Sequence, residues 1–303
     1  MSSKIVVTGA TGLIGRHLCR ALTLKGYDVV ATSRNASRAA GCFADGVVCE
    51  EWDGRDASRL ATIIDGAEVV VNLVGENIAG QKWSESYLKR IVASRLDAGA
   101  AVKQAFLQIA HPPRVLVQAS AIGYYGNDLV ATYDEYSSHG TDFLSHLCRD
   151  WETSVSGLPA SVRVVIARTG IVLAHDGGAY PKLKKSIDFF VGATLGKGNQ
   201  WFSWIHLQDE IDSLIYLIEN EKCKGIYNLV SPSPVSQKDL LRSLSRYLHR
   251  PLLFSIPAFL LKAILGEMAN QTILSSQKVL PCRLLDAGFK FKYEKVTDVW
   301  GTL

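Results

Sequence analysis

Three glycines near the start of the chain have the spacing of a phosphate-binding turn. A short β-branched run over 5–8 leads to Gly9, Gly12 and Gly15, and a helical pattern of leucines follows at once. A strand that turns directly into a helix presents free backbone N–H groups and the positive end of the helix dipole to an anion. We assign Gly9 to the turn, Gly12 to the approach of a pyrophosphate and Gly15 to close helix–strand packing. The sequence therefore predicts a dinucleotide site rather than a purely structural turn.

The residues at the end of the second strand favour one dinucleotide over the other. An NAD site usually carries Asp or Glu about 20 residues past the turn, where it holds the ribose 2′-hydroxyl. This chain has Ser33 and Arg34 there, with Arg38 close behind. A guanidinium pairs with a 2′-phosphate through two hydrogen bonds, and a serine hydroxyl can add another. We therefore expect NADP(H) rather than NAD(H); the alternative is that Arg34 is a solvated surface arginine.

Composition excludes several other classes of protein. With 303 residues, 48% hydrophobic and 20% charged, the chain has a globular rather than a disordered composition. The net charge of +4 suits a phosphate-bearing ligand, whereas no run of lysine and arginine predicts a nucleic-acid partner. The six scattered cysteines predict reduced thiols, a cytoplasmic location and no metal site. The longest apolar stretch, 254–265, contains Pro257 and Lys262 and is too short to cross a bilayer, so we expect no membrane partner.

The order of strand-like and helix-like patterns predicts the fold. Strands are expected at 5–8, 28–33, 46–50, 68–73, 114–119 and 163–168, and helices at 13–24, 57–64, 84–109 and 142–156. This alternation, with largely apolar strands, predicts an α/β fold with a Rossmann-type doubly wound parallel sheet.

The pattern changes after residue 228, where helices at 237–249, 257–269 and 271–280 and a short strand at 289–291 are expected. We expect residues 1–230 to form a Rossmann-like domain that carries the dinucleotide site. Residues 231–303 are expected to form a small, mostly helical C-terminal unit that packs over the substrate side.

Several phrases of the sequence resemble a known superfamily. The glycine turn, followed by Asn-Leu-Val-Gly at 72–75, resembles the extended (epimerase-like) branch of the short-chain dehydrogenases/reductases. Further phrases at 75–78, 94–96, 120–126, 150–152, 168–173 and 201–206 resemble its subgroup of NADP-dependent, epimerase-like proteins with a small C-terminal domain of unknown function. The similarity covers nearly the whole chain. It implies an extended short-chain reductase fold, NADPH as cofactor and a small, undefined substrate.

The resemblance also implies roles for individual residues at the cofactor. It puts five residues on the pyrophosphate, namely Gly9, Thr11, Gly12, Leu13 and Ile14. It puts the remaining ones on the 2′-phosphate (Ser33, Arg34), beside the ribose (Leu73, Val74, Gly75), close to the cofactor (Arg95), at the nicotinamide (Val172) and at the adenine (Asp53). For Arg95 the alternative is a salt bridge on a helix surface.

The chain departs from the superfamily where the chemistry occurs. The superfamily uses a Tyr-x-x-x-Lys pair on the helix after the fifth strand, where the tyrosine transfers a proton and the lysine lowers its pKa. Ser120 stands where the partner serine belongs, but Leu144 and Cys148 occupy the tyrosine and lysine positions. The one literal match, Tyr180 to Lys184, follows the sixth strand, where Pro181 disfavours a regular helical face. We interpret that match as chance.

Two hypotheses about function remain. In the first, the chain is an NADPH-dependent oxidoreductase or epimerase-like enzyme whose proton donor is Tyr124 or Tyr125, near Ser120. Arg168 is then a candidate for the missing positive charge, and His206 for another acid, although a lone histidine among aromatic residues is more often structural. In the second hypothesis, the chain is a catalytically inactive NADPH-binding protein with a regulatory or redox-sensing role.

Overall fold

The first part of the chain alternates strands and helices. A computed structural model describes residues 3–43, 45–189, 192–252 and 254–303. The strands are β1 (Lys4–Thr8), β2 (Asp28–Ser33), β3 (Val47–Glu51), β4 (Val69–Asn72), β5 (Val115–Ala121), β6 (Thr132–Tyr133) and β7 (Arg163–Thr169). The helices are α1 (Leu13–Leu24), α2 (Ala36–Ala40), α3 (Ala57–Ile64), α4 (Glu85–Gln108) and α5 (Phe143–Thr153), and a 3-10 turn at Ile122–Tyr125 follows β5.

The rest of the chain has shorter elements. Its strands are β8 (Ile171–Ala174), β9 (Gly177–Gly178), β10 (Ala193–Leu195), β11 (Trp201–Phe202), β12 (Trp204–His206), β13 (Gly225–Leu229), β14 (Val235–Ser236), β15 (Phe254–Ile256) and β16 (Lys278–Val279). Its helices are α6 (Tyr180–Asp188), α7 (Leu207–Glu219), α8 (Gln237–Tyr247), α9 (Ala258–Leu265) and α10 (Cys282–Asp286), with a π-helical turn at Ala269–Ile273 and a 3-10 turn at Val296–Asp298.

The central sheet has seven parallel strands in the order β13-β7-β5-β4-β1-β2-β3. Side chains of β1 alternate between its faces: Ile5 and Val7 pack with α1 and α7, whereas Val6 packs with α3 and α4. Both faces are therefore covered by helices, as a parallel sheet requires. This arrangement confirms the predicted Rossmann-type α/β fold, and it places the ends of β1, β2, β4 and β5 along one edge of the sheet.

The C-terminal region is helical, as predicted, but two of its predicted elements were wrong. Beyond the π-helical turn that ends at Ile273, residues 274–280 do not form the predicted helix, because Ser276 donates its N–H to the Asn127 Oδ1 and Val279 donates its N–H to the Ser203 Oγ. These bonds to distant loops hold 278–279 as a strand beside β6. Residues 289–291 are not a strand, and Phe289 instead packs into the core beneath α7.

Pro181 also behaves differently from the prediction. The segment from Tyr180 to Lys184 was expected in a loop, whereas it starts helix α6 with the proline in the first turn. A proline is tolerated there because its missing N–H has no partner within the helix. The ring of Tyr180 stacks on Trp300, with centroids 6.1 Å apart, so its phenol belongs to the packing of the C-terminal residues.

Candidate cofactor and active site

The turn between β1 and α1 has the geometry that its glycines predict. Gly9 has a φ of +67°, and a Cβ there would lie 2.7 Å from the Leu73 carbonyl carbon at the end of β4. A Cβ at Gly15 would lie 2.6 Å from the Ala10 Cα, so the helix and the strand touch through backbone. Neither position has room for a side chain.

The N-terminus of α1 is also capped differently from those of its neighbours. Side chains of Asn35, Asp56, Ser84 and Asp142 accept backbone N–H groups at the starts of α2 to α5. Gly12, at the start of α1, provides no such side chain. The first turn of α1 therefore offers N–H groups to an anion from outside the chain.

A cavity of about 760 Å³ opens beside this turn. Nine of the predicted cofactor residues line it: Gly9, Thr11, Gly12, Ser33, Arg34, Asp53, Leu73, Val74 and Gly75. The other four are not among the lining residues. Leu13, Ile14 and Val172 instead pack against the core that includes α1, and Arg95 lies behind Gly75.

Arg34 is an exposed cation at the rim of this cavity. It follows Ser33, the last residue of β2, whose Oγ accepts the N–H of Asn35 at 3.2 Å. Among the residues that the structure describes, no carboxylate forms an ion pair with Arg34. The guanidinium is therefore available to a ligand anion at this end of the cavity.

The opposite wall of the cavity was missed by the sequence analysis. It consists of one face of α4, with Arg90, Ala93, Ser94 and Asp97 at helical spacing. The Ser94 Oγ accepts the N–H of Glu76 at 2.9 Å, which ties this wall to the end of β4. Arg90, Ser94 and Asp97 lie at i, i+4 and i+7 of the helix, and this polar spacing was the signal that could have identified the wall.

Two more lining residues join α4 to the loop after β3. The Arg55 Nε donates to the Asp97 carboxylate at 2.9 Å. Asp53 shapes the loop itself, because its Oδ1 accepts the N–H groups of Arg55 and Asp56 at 2.8 and 2.9 Å. These backbone donors lower the pKa of Asp53, so that its carboxylate is charged at neutral pH.

Arg95 lies behind the end of β4 rather than on the helix surface. Its guanidinium sits over the Trp151 ring at 4.9 Å and donates to the backbone carbonyl of Ile91 at 3.0 Å. A Cβ at Gly75 would lie 3.2 Å from its Cζ. Burial lowers the pKa of Arg95. The guanidinium thus faces a carbonyl and an indole ring, and it is a cation next to the predicted ribose position.

A buried network joins Ser120 to residues on four other elements. The Ser120 Oγ donates to the Glu152 Oε1 at 2.6 Å, and Glu152 also accepts from Arg168. The Arg168 Nη1 donates to the Tyr125 hydroxyl at 3.0 Å, which in turn donates to the Asn228 Oδ1 at 2.7 Å. Burial raises the pKa of Tyr125 to about 12. Ser120 and Tyr125 therefore serve this network, and their hydroxyls are turned away from solvent.

The positions of the missing catalytic pair are apolar and closed. Leu144 and Cys148 are buried on α5 and face the 3-10 turn, where a Cβ at Gly123 would lie 3.6 and 3.7 Å from them. Burial raises the pKa of the Cys148 thiol to about 12. Neither side chain can transfer a proton at neutral pH.

Tyr124 is the partly exposed phenol of this region. Its ring covers the guanidinium of Arg168, with 3.4 Å between the Cζ and the ring centroid, and lies edge-on to Tyr125 and His139. Burial tends to lower the pKa of Arg168, but the Glu152 carboxylate outweighs burial and raises it, so Arg168 stays charged. Tyr124 thus lies against a permanent cation.

His206 has a structural role. Its Nδ1 accepts the N–H of Gln208 at 3.0 Å and so caps α7, while its ring lies 4.0 Å from that of Tyr293. Burial lowers the pKa of His206 to about 4. It is neutral at physiological pH, and the interpretation as a structural histidine fits this geometry better than that of an acid.

The described part of the chain holds neither a cluster of metal-ligating side chains nor a membrane-spanning helix. No group of three or more His, Cys, Asp or Glu side chains could hold a metal ion within 3–43, 45–189, 192–252 and 254–303. Over the same ranges, none of the helices is both long and apolar enough to cross a membrane.

The fold and the cavity define an extended short-chain dehydrogenase/reductase with a dinucleotide site at the carboxyl edge of its sheet. The profile of the NAD dependent epimerase/dehydratase family matches residues 5–229, and that of a domain of unknown function, DUF1731, matches residues 256–299. The chain belongs to the NAD dependent epimerase/dehydratase family.

Relatives extend this similarity over the whole chain. The epimerase family protein SDR39U1 homolog of Arabidopsis thaliana is 37% identical over 300 residues, covering 97% of this chain and 84% of its own. The epimerase family protein YfhF of Bacillus subtilis is 35% identical, covering 96% and 94%. The crystal structure of human epimerase family protein SDR39U1 with NADPH is 29% identical, covers 97% and 96%, and superposes with a TM-score of 0.86.

Proposed function

We propose that the cavity binds NADP(H), with the pyrophosphate at the start of α1 and the 2′-phosphate on Ser33 and Arg34. The observation that carries this proposal is the exposed Arg34 at the end of β2, where an NAD site would present a carboxylate. The uncapped start of α1 supplies the N–H groups for the pyrophosphate. The NADPH in the structure of human SDR39U1 supports the same assignment.

The nicotinamide half would lie beyond the end of β4. Leu73, Val74 and Gly75 line the cavity there, and Arg95 stands directly behind Gly75. In the superfamily a lysine holds the ribose, whereas here its position is the buried Cys148. We assign Arg95 to the cofactor as the nearby cation, and Asp53 to the adenine end. Val172 is assigned to the nicotinamide, and Leu13 and Ile14 to the pyrophosphate through their backbone N–H groups.

The proposed activity is an NADPH-dependent reduction or epimerase-like reaction on a small carbonyl-bearing or sugar-like substrate. When bound, NADPH supplies the hydride. The proton would come from Tyr124, the phenol that is partly exposed and lies on the Arg168 guanidinium. Arg168 stabilises the negative charge that develops on the phenol as the proton leaves. Ser120 and Tyr125 would then act by holding Arg168 in place rather than by contacting the substrate.

We also propose that residues 231–303 close the substrate side. Glu267, Asn270 and Gln271 of this unit line a second cavity, of about 420 Å³, together with Tyr125 and Asp142 of the larger domain. The cavity adjoins the 3-10 turn that carries Tyr124. A cytoplasmic location and the absence of a nucleic-acid partner remain predictions from composition.

A second function is favoured by one specific observation. The two positions that carry the proton-transfer pair in the superfamily are Leu144 and Cys148, both buried and apolar. A protein that binds NADPH without turnover, and reports the state of the cofactor to a partner, would have this site. Both functions require the same cofactor cavity and differ only in the chemistry beyond it.

Turnover separates the two functions. We would incubate the protein and NADPH with a panel of aldehydes, ketones and keto-sugars and follow the loss of absorbance of the cofactor. Tyr124→Phe should lower turnover by roughly 100-fold or more, as the loss of a general acid does. Tyr136→Phe, an exposed phenol elsewhere, is the matched control. Turnover that survives both Tyr124→Phe and Tyr125→Phe unchanged would exclude a phenol donor, and NADPH binding without turnover on any substrate favours the sensor.

A further inference from the structure

Helix α9 is apolar on both of its sides. Leu261 packs inward with the half-buried Leu265 one turn along. On the other side Phe259, Leu260 and Ile264 face solvent, with 68% of the Phe259 and 64% of the Ile264 surface exposed. A helix that only packed against its own chain would carry polar residues on that outer side. The exposed side therefore calls for a partner outside the chain.

Two further aromatic residues extend this exposed surface. Phe254 begins β15, immediately before α9, and is 56% exposed. It pairs with Ala193 of β10, which follows Phe189 by four residues. Phe189, at the end of α6, is also exposed, and four residues of chain, at most about 14 Å, join it to Ala193. We call Phe189, Phe254, Phe259, Leu260 and Ile264 the apolar face.

Exposed lysines lie on or beside the segments that form the apolar face. Lys182 and Lys185 lie at i−7 and i−4 from Phe189, on the same side of α6, and both are exposed. Lys262 borders the exposed side of α9. Lys197 follows Gly196, where a Cβ would lie 3.6 Å from the Ala258 Cβ at the start of that helix. These segments thus combine exposed aromatic residues with exposed lysines.

The charge of these segments stands out from the rest of the chain. Residues 180–197 and 254–265 hold five lysines and one aspartate, an excess of positive charge equal to the +4 of all 303 residues. The single acid, Asp188, is already paired with Lys184. The remainder of the protein is therefore neutral as a whole, and its net charge is concentrated around the apolar face.

From this coincidence we infer that the apolar face binds the surface of an anionic lipid bilayer. Apolar side chains that enter the boundary between headgroups and acyl chains, flanked by lysines that attract anionic lipids, are the features of interfacial membrane binding. A symmetric pairing of two copies through this face would instead bring its lysines close to one another. The segment is too short to cross the bilayer, so the inference replaces the prediction of no membrane partner with one of surface binding.

Vesicle sedimentation tests the inference with the full-length protein. The protein should sediment with phosphatidylglycerol-containing vesicles and much less with phosphatidylcholine vesicles, and high salt should release it. Phe259→Ser with Ile264→Ser should weaken vesicle binding about tenfold or more, because each substitution removes an apolar side chain that the lipid would bury. Lys182→Gln and Lys185→Gln should each weaken it about fivefold. Leu24→Ser with Val130→Ser, exposed apolar residues outside the face, should change nothing.

Two results would overturn the inference. Equal or absent binding to both kinds of vesicle would exclude an anionic membrane as the partner. The second result would come from sedimentation equilibrium on the same variants. If the unaltered protein forms a dimer that Phe259→Ser dissociates, and the protein binds no vesicles, the apolar face binds a second copy of the chain. Circular dichroism melting of every variant shows that the fold is intact, and the vesicle result is independent of whether NADPH binds.

Discussion

Arg168 and Glu152 form a buried, two-pronged ion pair beneath the ring of Tyr124. The Arg168 Nε lies 2.7 Å from Oε1 of the carboxylate, and its Nη2 lies 2.8 Å from Oε2. The pair joins β7 to α5, and it is the centre of the network that also engages Ser120 and Tyr125. The chain thus holds a buried positive charge against the ring of Tyr124, on β7 rather than on α5, where the superfamily has its lysine.

Removing one partner of this pair should destabilise the protein strongly. Glu152→Gln or Arg168→Met leaves a buried polar group without its counter-charge, and we expect a loss of about 3–5 kcal/mol in the free energy of unfolding, measured in urea. The double variant Glu152→Leu/Arg168→Met should be less destabilised than the sum of the two losses. Arg149→Met, which breaks an exposed pair with Asp150, is the control and should cost under about 1 kcal/mol. Equally small losses in the free energy of unfolding at the Arg168–Glu152 and Arg149–Asp150 pairs would contradict a buried network.

Gly15 should tolerate no side chain. In Gly15→Ala the new Cβ would meet the backbone of Gly9 and Ala10 at 2.6–2.7 Å, which forces α1 away from the turn. We expect a loss of about 1–3 kcal/mol in the free energy of unfolding, together with weaker binding of NADPH. Gly41→Ala is the matched control, since its Cβ would have no atom closer than 3.8 Å. Unchanged stability and affinity in Gly15→Ala would mean that the turn is looser than its geometry requires.

The stability of the protein should depend on pH through Glu210. This side chain is buried in the first turn of α7, where Thr169 donates to its Oε1 at 2.8 Å, and its Oε2 has no partner among the described residues. Burial raises the pKa of Glu210 from 4.5 to about 8. Between these two values the folded protein keeps a proton that the unfolded chain has lost. The contribution of Glu210 to the free energy of unfolding should therefore fall as the pH rises through this window, by at most about 1.4 kcal/mol per pH unit. His206, whose pKa is lowered from 6.5 to about 4, contributes the opposite slope below pH 6.5, so the net fall should appear between pH 6.5 and about 8.

Urea denaturation across that pH window, on the unaltered protein and two variants, checks this prediction. Glu210→Gln should remove the slope above pH 6.5, where His206 no longer contributes, and be the more stable protein at the alkaline end. Glu221→Gln, an exposed carboxyl, should keep the slope. A profile for Glu210→Gln that parallels the unaltered protein would show that the carboxyl is not held in its neutral form.

The sequence predicted those elements of the fold well that are determined by residues close together in the chain. Strand β1, the turn and α1 are specified by neighbouring residues, from the buried Ile5–Val7 run to Gly9 and Gly15. The helix predicted at 271–280 failed for the opposite reason, since bonds from Asn127 and Ser203 hold that segment as strand and turn. A local sequence pattern does not predict hydrogen-bond partners that are so distant in the sequence.

The candidate site was likewise predictable only where its residues follow one local element. Most of the predicted cofactor residues lie at the ends of single strands, and nine of the thirteen line one cavity. The α4 wall and the network around Arg168 depend on how several elements meet in space. Glu152 and Tyr125 lie 16 and 43 residues from Arg168, and their pairing follows only from the packed sheet.

The most direct test of the account is a parallel titration with NADPH and NADH, followed by isothermal calorimetry, on three proteins. The unaltered protein should bind NADPH more tightly than NADH. Arg34→Ala should weaken NADPH binding by roughly 10- to 100-fold, as the loss of a hydrogen-bonded charge does, and leave NADH unchanged. Arg20→Ala, an exposed arginine on α1 outside the cavity, should leave both affinities unchanged. A protein that binds neither nucleotide, or in which Arg34→Ala weakens both equally, would contradict the NADPH site.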